Sequence, residues 1–100
     1  MQKRVRVLIS GGVQGVGFRY WVKRTAWELG ISGWVKNLEN GGVEAIFEGE
    51  EALIEKIINE CWQGPPLSRV EKVVVNDEEV EGLKGFEIRR DSVKFATLKK

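Results

Sequence analysis

Gly11-Gly12-Val13-Gln14-Gly15-Val16-Gly17-Phe18-Arg19 packs four glycines into seven positions and closes on an arginine. Ahead of it, Val5-Arg6-Val7-Leu8-Ile9 alternates apolar and mixed residues. Behind it, Tyr20 to Leu29 has helical spacing. A strand therefore runs into a glycine loop, and the loop runs into a helix N-terminus. Glycines permit positive φ and close backbone approach to a ligand. Unpaired N–H groups at a helix start favour an anion. Arg19 adds a planar, permanently charged fork that matches a phosphate face. The glycine order, Gly12-x-x-Gly15-x-Gly17, is neither the dinucleotide fingerprint nor the triphosphate loop, which needs Gly-Lys-Ser/Thr. Taken alone, the glycines fit a tight strand-to-helix turn as well as they fit a phosphate cradle.

Reading outward, the first strand covers Arg4 to Ser10, with Val5, Val7 and Ile9 on one face. In the helix that follows the loop, Phe18, Val22, Ala26 and Leu29 form a stripe that faces the sheet, and Gly30 is its C-cap. The second strand is Gly33 to Leu38. Asn40-Gly41 is a hairpin signal, and the third strand returns as Val43 to Glu48, antiparallel to the second, with Val43, Ala45 and Phe47 on one face. Glu50 to Gln63 is the second helix. Leu53, Ile54, Ile57, Ile58 and Cys61 make its stripe, Glu50 and Glu51 suit its positive end, and Gly64-Pro65-Pro66 ends it. A fourth strand runs from about Arg69 to Asn76, Asp77 to Lys84 is a charged connector, and Gly85 to Arg89 is a short last strand. The tail from Asp91 has no assignable order. The pattern β-α-β-β-α-β is the split βαβ, ferredoxin-like arrangement: an α+β two-layer sandwich, with an antiparallel sheet and both helices on one face. Right-handed crossovers and one hairpin leave few alternatives.

One hundred residues, 42% hydrophobic and 31% charged, make one soluble globular domain. The net charge of +1 draws neither nucleic acid nor membrane by bulk electrostatics. Histidine is absent and Cys61 is the sole cysteine, so Ser-His-Asp and Cys-His chemistry, an intrachain disulfide and a structural zinc are excluded. Met1-Gln2-Lys3-Arg4 runs straight into the first strand, so no signal peptide is expected and the cytoplasm is the default location. Cys61 is expected to be an inert buried thiol. Trp21, Trp27, Trp34 and Trp62 are expected to serve packing, and Phe18 to lie in the core.

Gly12-Val13-Gln14-Gly15-Val16-Gly17-Phe18-Arg19 resembles the signature of the acylphosphatase family. Gly33-Trp34-Val35-Lys36-Asn37, followed by Gly41-Gly42-Val43-Glu44, is similar to the family's second block. Gln63-Gly64-Pro65-Pro66 resembles the turn after helix two in many members. The resemblance runs from about residue 4 to residue 90. It implies metal-free, cofactor-free hydrolysis of the carboxyl–phosphate bond of a small-molecule acyl phosphate. It also implies that Arg19 binds the phosphate, that Asn37 orients the attacking water, and that the backbone N–H groups of Gln14, Gly15, Val16, Gly17, Phe18 and Arg19 form the cradle. Some members steady the arginine with a C-terminal carboxylate; here the tail is longer and ends in lysine.

Three other readings stay open on the residues. Lys84-Gly85-Phe86-Glu87-Ile88 has a faint likeness to an RNA-recognition strand, although it lacks the second aromatic and carries Glu87. Acylphosphatase-like domains also occur inside larger carbamoyl-transferring maturation proteins. A regulatory anion-binding module would bind without hydrolysing. A free-standing monomeric enzyme, with no nucleic-acid or membrane partner, is the expectation.

Overall fold

Val5, Val7 and Ile9 are fully buried, and the strand that carries them is an interior strand of the sheet in the computed structural model, which describes residues 1–90. The expectation for the tail from Asp91 lies outside the described residues. The elements are β1 (Gln2–Gly12), α1 (Phe18–Leu29), β2 (Ser32–Asn37), β3 (Val43–Glu50), α2 (Glu51–Cys61), β4 (Arg69–Glu78) and β5 (Phe86–Ile88). The sheet order is β4-β1-β3-β2-β5. Val5, Val7 and Ile9 pair with Phe47, Ala45 and Val43, and Val35 pairs with Ala45. Side chains alternate across a strand, so these residues share one face. Phe18, Val22 and Ala26 of α1 and Ile54, Ile57 and Cys61 of α2 join them in one core. Both helices therefore cover the same face, as expected for a ferredoxin-like sandwich.

Local signals act where the sequence put them. Gly30 adopts φ 71° after α1, and the N–H of Ile31 donates to Ala26 O at 2.8 Å, closing the helix as a left-handed C-cap does. In the hairpin, the N–H of Leu38 donates to Gly42 O at 2.9 Å, and Asn40 Oδ1 accepts the N–H of Gly42 at 2.9 Å. Cys61 is buried, and burial, with Glu60 beside it, pushes its thiol up to about 12.

Two expectations need correction. The sheet is not wholly antiparallel, because β5 runs parallel to β2, with Gly33 opposite Phe86. β5 joins the sheet at the β2 edge, the far side from β4. The connector crosses to that side and reverses the chain direction, which aligns β5 with β2. The tryptophans also divide. Trp34 is buried and Trp21 packs against the core, but Trp27 is 74% and Trp62 48% exposed. Trp27 falls off the stripe of Phe18, Val22 and Ala26, so its ring faces water.

Crossing the open face is tied to a charged cluster that the strand pattern did not announce. Arg4 donates to Glu78 at 3.0 Å and to Glu48 at 3.1 Å. Arg6 donates to Glu78 at 2.7 Å and also pairs with Glu44. The carboxylate of Glu48 accepts the backbone N–H groups of Glu81, Gly82 and Leu83 at 2.6, 3.1 and 2.8 Å, so it holds the connector down. Burial by itself would raise the Glu48 carboxyl. The N–H groups of Glu81 and Leu83 and the Arg4 guanidinium outweigh burial and hold the group below its ordinary value. A carboxyl held low in the folded chain contributes its full stability above the unfolded value, about 4.3 for Glu. That contribution fades as pH falls through the lower folded value. Glu48→Gln should lower the unfolding free energy by about 2 kcal/mol at neutral pH, with the gap to wild type closing in acid. Urea melts across pH check this; a gap that stays constant into strong acid would count against the carboxylate as its source.

Candidate phosphate-binding site

The loop between β1 and α1 is fastened at both ends and open in the middle. Val13 and Phe18 are buried, while Gly15 and Gly17 are exposed. Gly15 has φ 75° and Gly17 φ 79°, and a Cβ on either would meet nothing within 4 Å. Neither glycine is therefore needed to relieve crowding. Both hold left-handed backbone that a residue with a side chain resists, and both leave the space before them empty. Gly17 is the N-cap of α1 and makes no side-chain cap bond. The first helical bond at this end runs from the N–H of Trp21 to Gly17 O at 3.0 Å. Among the described residues, no backbone acceptor takes the N–H of Gly15, Val16, Gly17 or Phe18. Helix starts leave such donors without intrahelical partners, and successive donors in a left-handed turn make an anion-binding concavity.

Sheet register brings Asn37 to the same end. Asn37 closes β2 opposite Val43, and Val43 lies opposite Ile9 of β1, just ahead of the loop. Its position in the alternation is that of Val35, the helix-facing one, and it is 8% exposed. Arg19 is the second residue of α1. The topology thus collects the loop N–H groups, the Arg19 position and the Asn37 position at one end of the sandwich. Close backbone contact keeps that end tight: a Cβ on Gly42 would stand 2.8 Å from Ile9 O, and one on Gly11 would stand 2.1 Å from Arg69 O. A Cβ on Gly64 would stand 2.7 Å from Phe18 Cε2, so the turn after α2 seats the first residue of α1. Phe18 meets Trp21 edge-on, with centroids 5.5 Å apart.

Sequence reasoning assigned Gln14 a backbone role alone. Its side chain does more. Gln14 Nε2 donates to the carbonyls of Leu38 and Gly42, each at 2.8 Å. One amide thus straps the glycine loop to the neck of the hairpin, one residue beyond Asn37. No spacing rule in a single sequence announces a bond between positions 24 and 28 residues apart. Gln14→Glu removes the donor and sets a carboxylate against two carbonyl oxygens. It should therefore melt below Gln14→Ala, which loses about 1 kcal/mol. Thermal unfolding of the two variants side by side checks this, and equal melting points would argue that the strap carries no energy.

A separate concavity lies along α1. A groove of about 830 Å³ runs along the outer side of α1 beside Pro65 and Pro66, and it meets the loop only at Gly17. The aromatic ring of the RNA-recognition likeness does not face solvent: Phe86 is buried and stacks on Phe47, centroids 5.9 Å apart, inside the core.

A family model described as Acylphosphatase matches residues 5–88. A protein named Acylphosphatase from Trichormus variabilis is 52% identical over 87 residues, covering 87% of this chain and 86% of that one. The solved structure of an acylphosphatase from Coxiella burnetii superposes with a TM-score of 0.85 at 40% identity, covering 88% of this chain and 93% of that one. Full-length HypF, solved in a phosphate- and nucleotide-bound form, contains a region with a TM-score of 0.84 at 34% identity; the match spans 91% of this chain and 12% of that one.

Proposed function

The chain belongs to the acylphosphatase family, and from that premise we propose how its own residues carry out the family's reaction, hydrolysis of the carboxyl–phosphate bond of an acyl phosphate. The N–H groups of residues 14–18, with the N–H and guanidinium of Arg19, hold the phosphoryl oxygens. Asn37 orients the attacking water. The observation that carries this reading is the open left-handed turn at Gly15 and Gly17, whose N–H groups find no backbone acceptor among the described residues and which is strapped beside Asn37.

The chemistry asks for little more. Water attacks phosphorus, the bond from phosphorus to the acyl oxygen breaks, and the carboxylate leaves with the electron pair. A carboxylate is a good leaving group, so no general acid is required. Phosphoryl transfer depends mainly on positioning and on spreading the charge of the equatorial oxygens. Fixed N–H groups and a guanidinium supply both. An amide such as Asn37 can donate to and accept from a water, but it is a poor base. The water's proton passes to a phosphate oxygen of the substrate.

We also read the chain as a single domain over residues 1–100 that acts as a monomer in the cytoplasm without nucleic-acid partners. The shared core of the seven elements supports the first part. The net charge of +1 supports the last. Among the described residues no helix is long and apolar enough to cross a membrane. The direct experiment is benzoyl phosphate hydrolysis after exhaustive dialysis against EDTA. Turnover should survive, and inorganic phosphate should inhibit competitively. Activity that disappears with EDTA and returns with a divalent cation would overturn the scheme.

A further inference from the structure

We propose that the groove along α1 is the acyl subsite, taking aromatic and medium-length fatty-acyl groups; this rests on the reading of the glycine loop as the phosphate cradle. The two features join at Gly17, which belongs to the loop and also lines the groove. Trp21 forms part of the lining, held by its edge-on contact with Phe18. Tyr20 and Trp27 stand 73% and 74% exposed beside it, and Lys23, Arg24, Pro65 and Pro66 complete the lining. A groove that gathers three aromatic rings and two prolines beside Lys23 and Arg24, open to water, is unusual on a lone surface and marks a binding site. An acyl phosphate whose phosphoryl group is fixed at the loop has its apolar end free to lie there.

Helical rise sets the reach. Tyr20 lies three residues from Gly17, about 5 Å along the axis, within range of a benzoyl ring. Trp27 lies ten residues along, about 15 Å, which matches a medium-length fatty-acyl chain. An acetyl group meets neither ring. Burying each methylene is worth about a few-fold in affinity, so specificity should climb with chain length.

The test compares kcat/KM for acetyl, benzoyl and decanoyl phosphate, the last kept below its micelle concentration, in wild type, Tyr20→Ala and Trp27→Ala. Wild type should favour decanoyl over acetyl phosphate by at least about tenfold. Trp27→Ala should lower the decanoyl value about tenfold and the benzoyl value little. Tyr20→Ala should lower both, and in each variant the loss should shrink towards acetyl phosphate. Inhibition by inorganic phosphate should be the same in all three proteins. Equal losses on every substrate, or no dependence on chain length, would overturn the acyl subsite and leave the cradle standing. Absence of phosphate inhibition in wild type would overturn the cradle, and the subsite with it. A concentration-dependent dimer in wild type that Trp27→Ala dissociates, seen by sedimentation, would assign the groove to a second copy and overturn the proposal.

Discussion

Arg19→Lys should fold as wild type does and lose on the order of a thousandfold in kcat/KM for benzoyl phosphate. Lysine keeps the positive charge and the helical propensity of the first turn, so thermal unfolding should move little. What disappears is the fork: two parallel N–H donors held in a plane that matches two phosphoryl oxygens. An ammonium is a point charge on a flexible stem, and it cannot contact both oxygens in the fixed geometry a transition state rewards. Weaker phosphate inhibition should accompany the loss, because a guanidinium in the proposed role would contact ground state and transition state alike. Steady-state kinetics beside a melting curve decides the matter. A folded Arg19→Lys enzyme retaining a tenth or more of wild-type activity would remove Arg19 from the site.

Asn37→Ala should separate binding from turnover. The loop N–H groups and Arg19 remain, so inorganic phosphate should inhibit with a constant within about twofold of wild type. The attacking water loses its anchor, and kcat should fall by roughly a hundredfold or more, the usual cost of losing a positioned group. Asn37→Asp gives an internal contrast. It keeps the shape but sets a negative charge beside the phosphoryl group, so it should weaken phosphate inhibition as well as turnover. Unchanged kcat in Asn37→Ala would mean that another group orients the water. Similar damage to phosphate inhibition in both variants would place Asn37 among the phosphate ligands.

Much of this molecule was legible in its residues, and the reason is local. The period-two run Val5-Val7-Ile9, the period-3.6 stripes of Phe18-Val22-Ala26 and Ile54-Ile57-Cys61, the Asn40-Gly41 hairpin and the Gly30 cap each act over one or two turns of chain, and each element appears where its pattern lies. The order of those elements then restricts topology, because crossovers have a preferred hand. Glycines at 15 and 17 foretold left-handed backbone, and family likeness named Arg19 and Asn37 as candidates.

Tertiary structure alone decided the rest, since the groups involved are far apart in sequence and no periodicity links them. The Arg4–Glu48–Glu78 cluster joins three strands, and the N–H groups of residues 81–83 reach it across the open face. Beyond that strap the chain reaches the β2 edge, where β5 runs parallel to β2 with Phe86 opposite Gly33. Gln14, a polar loop residue by composition, becomes the tie between loop and hairpin because its amide finds two carbonyls that the sheet register has brought near. Trp27, apolar by composition, is left in water because α1 turns its stripe, and not its outer side, towards the sheet. Local pattern chose which segments became strands and helices; packing chose which distant polar groups met and which aromatic rings were left uncovered.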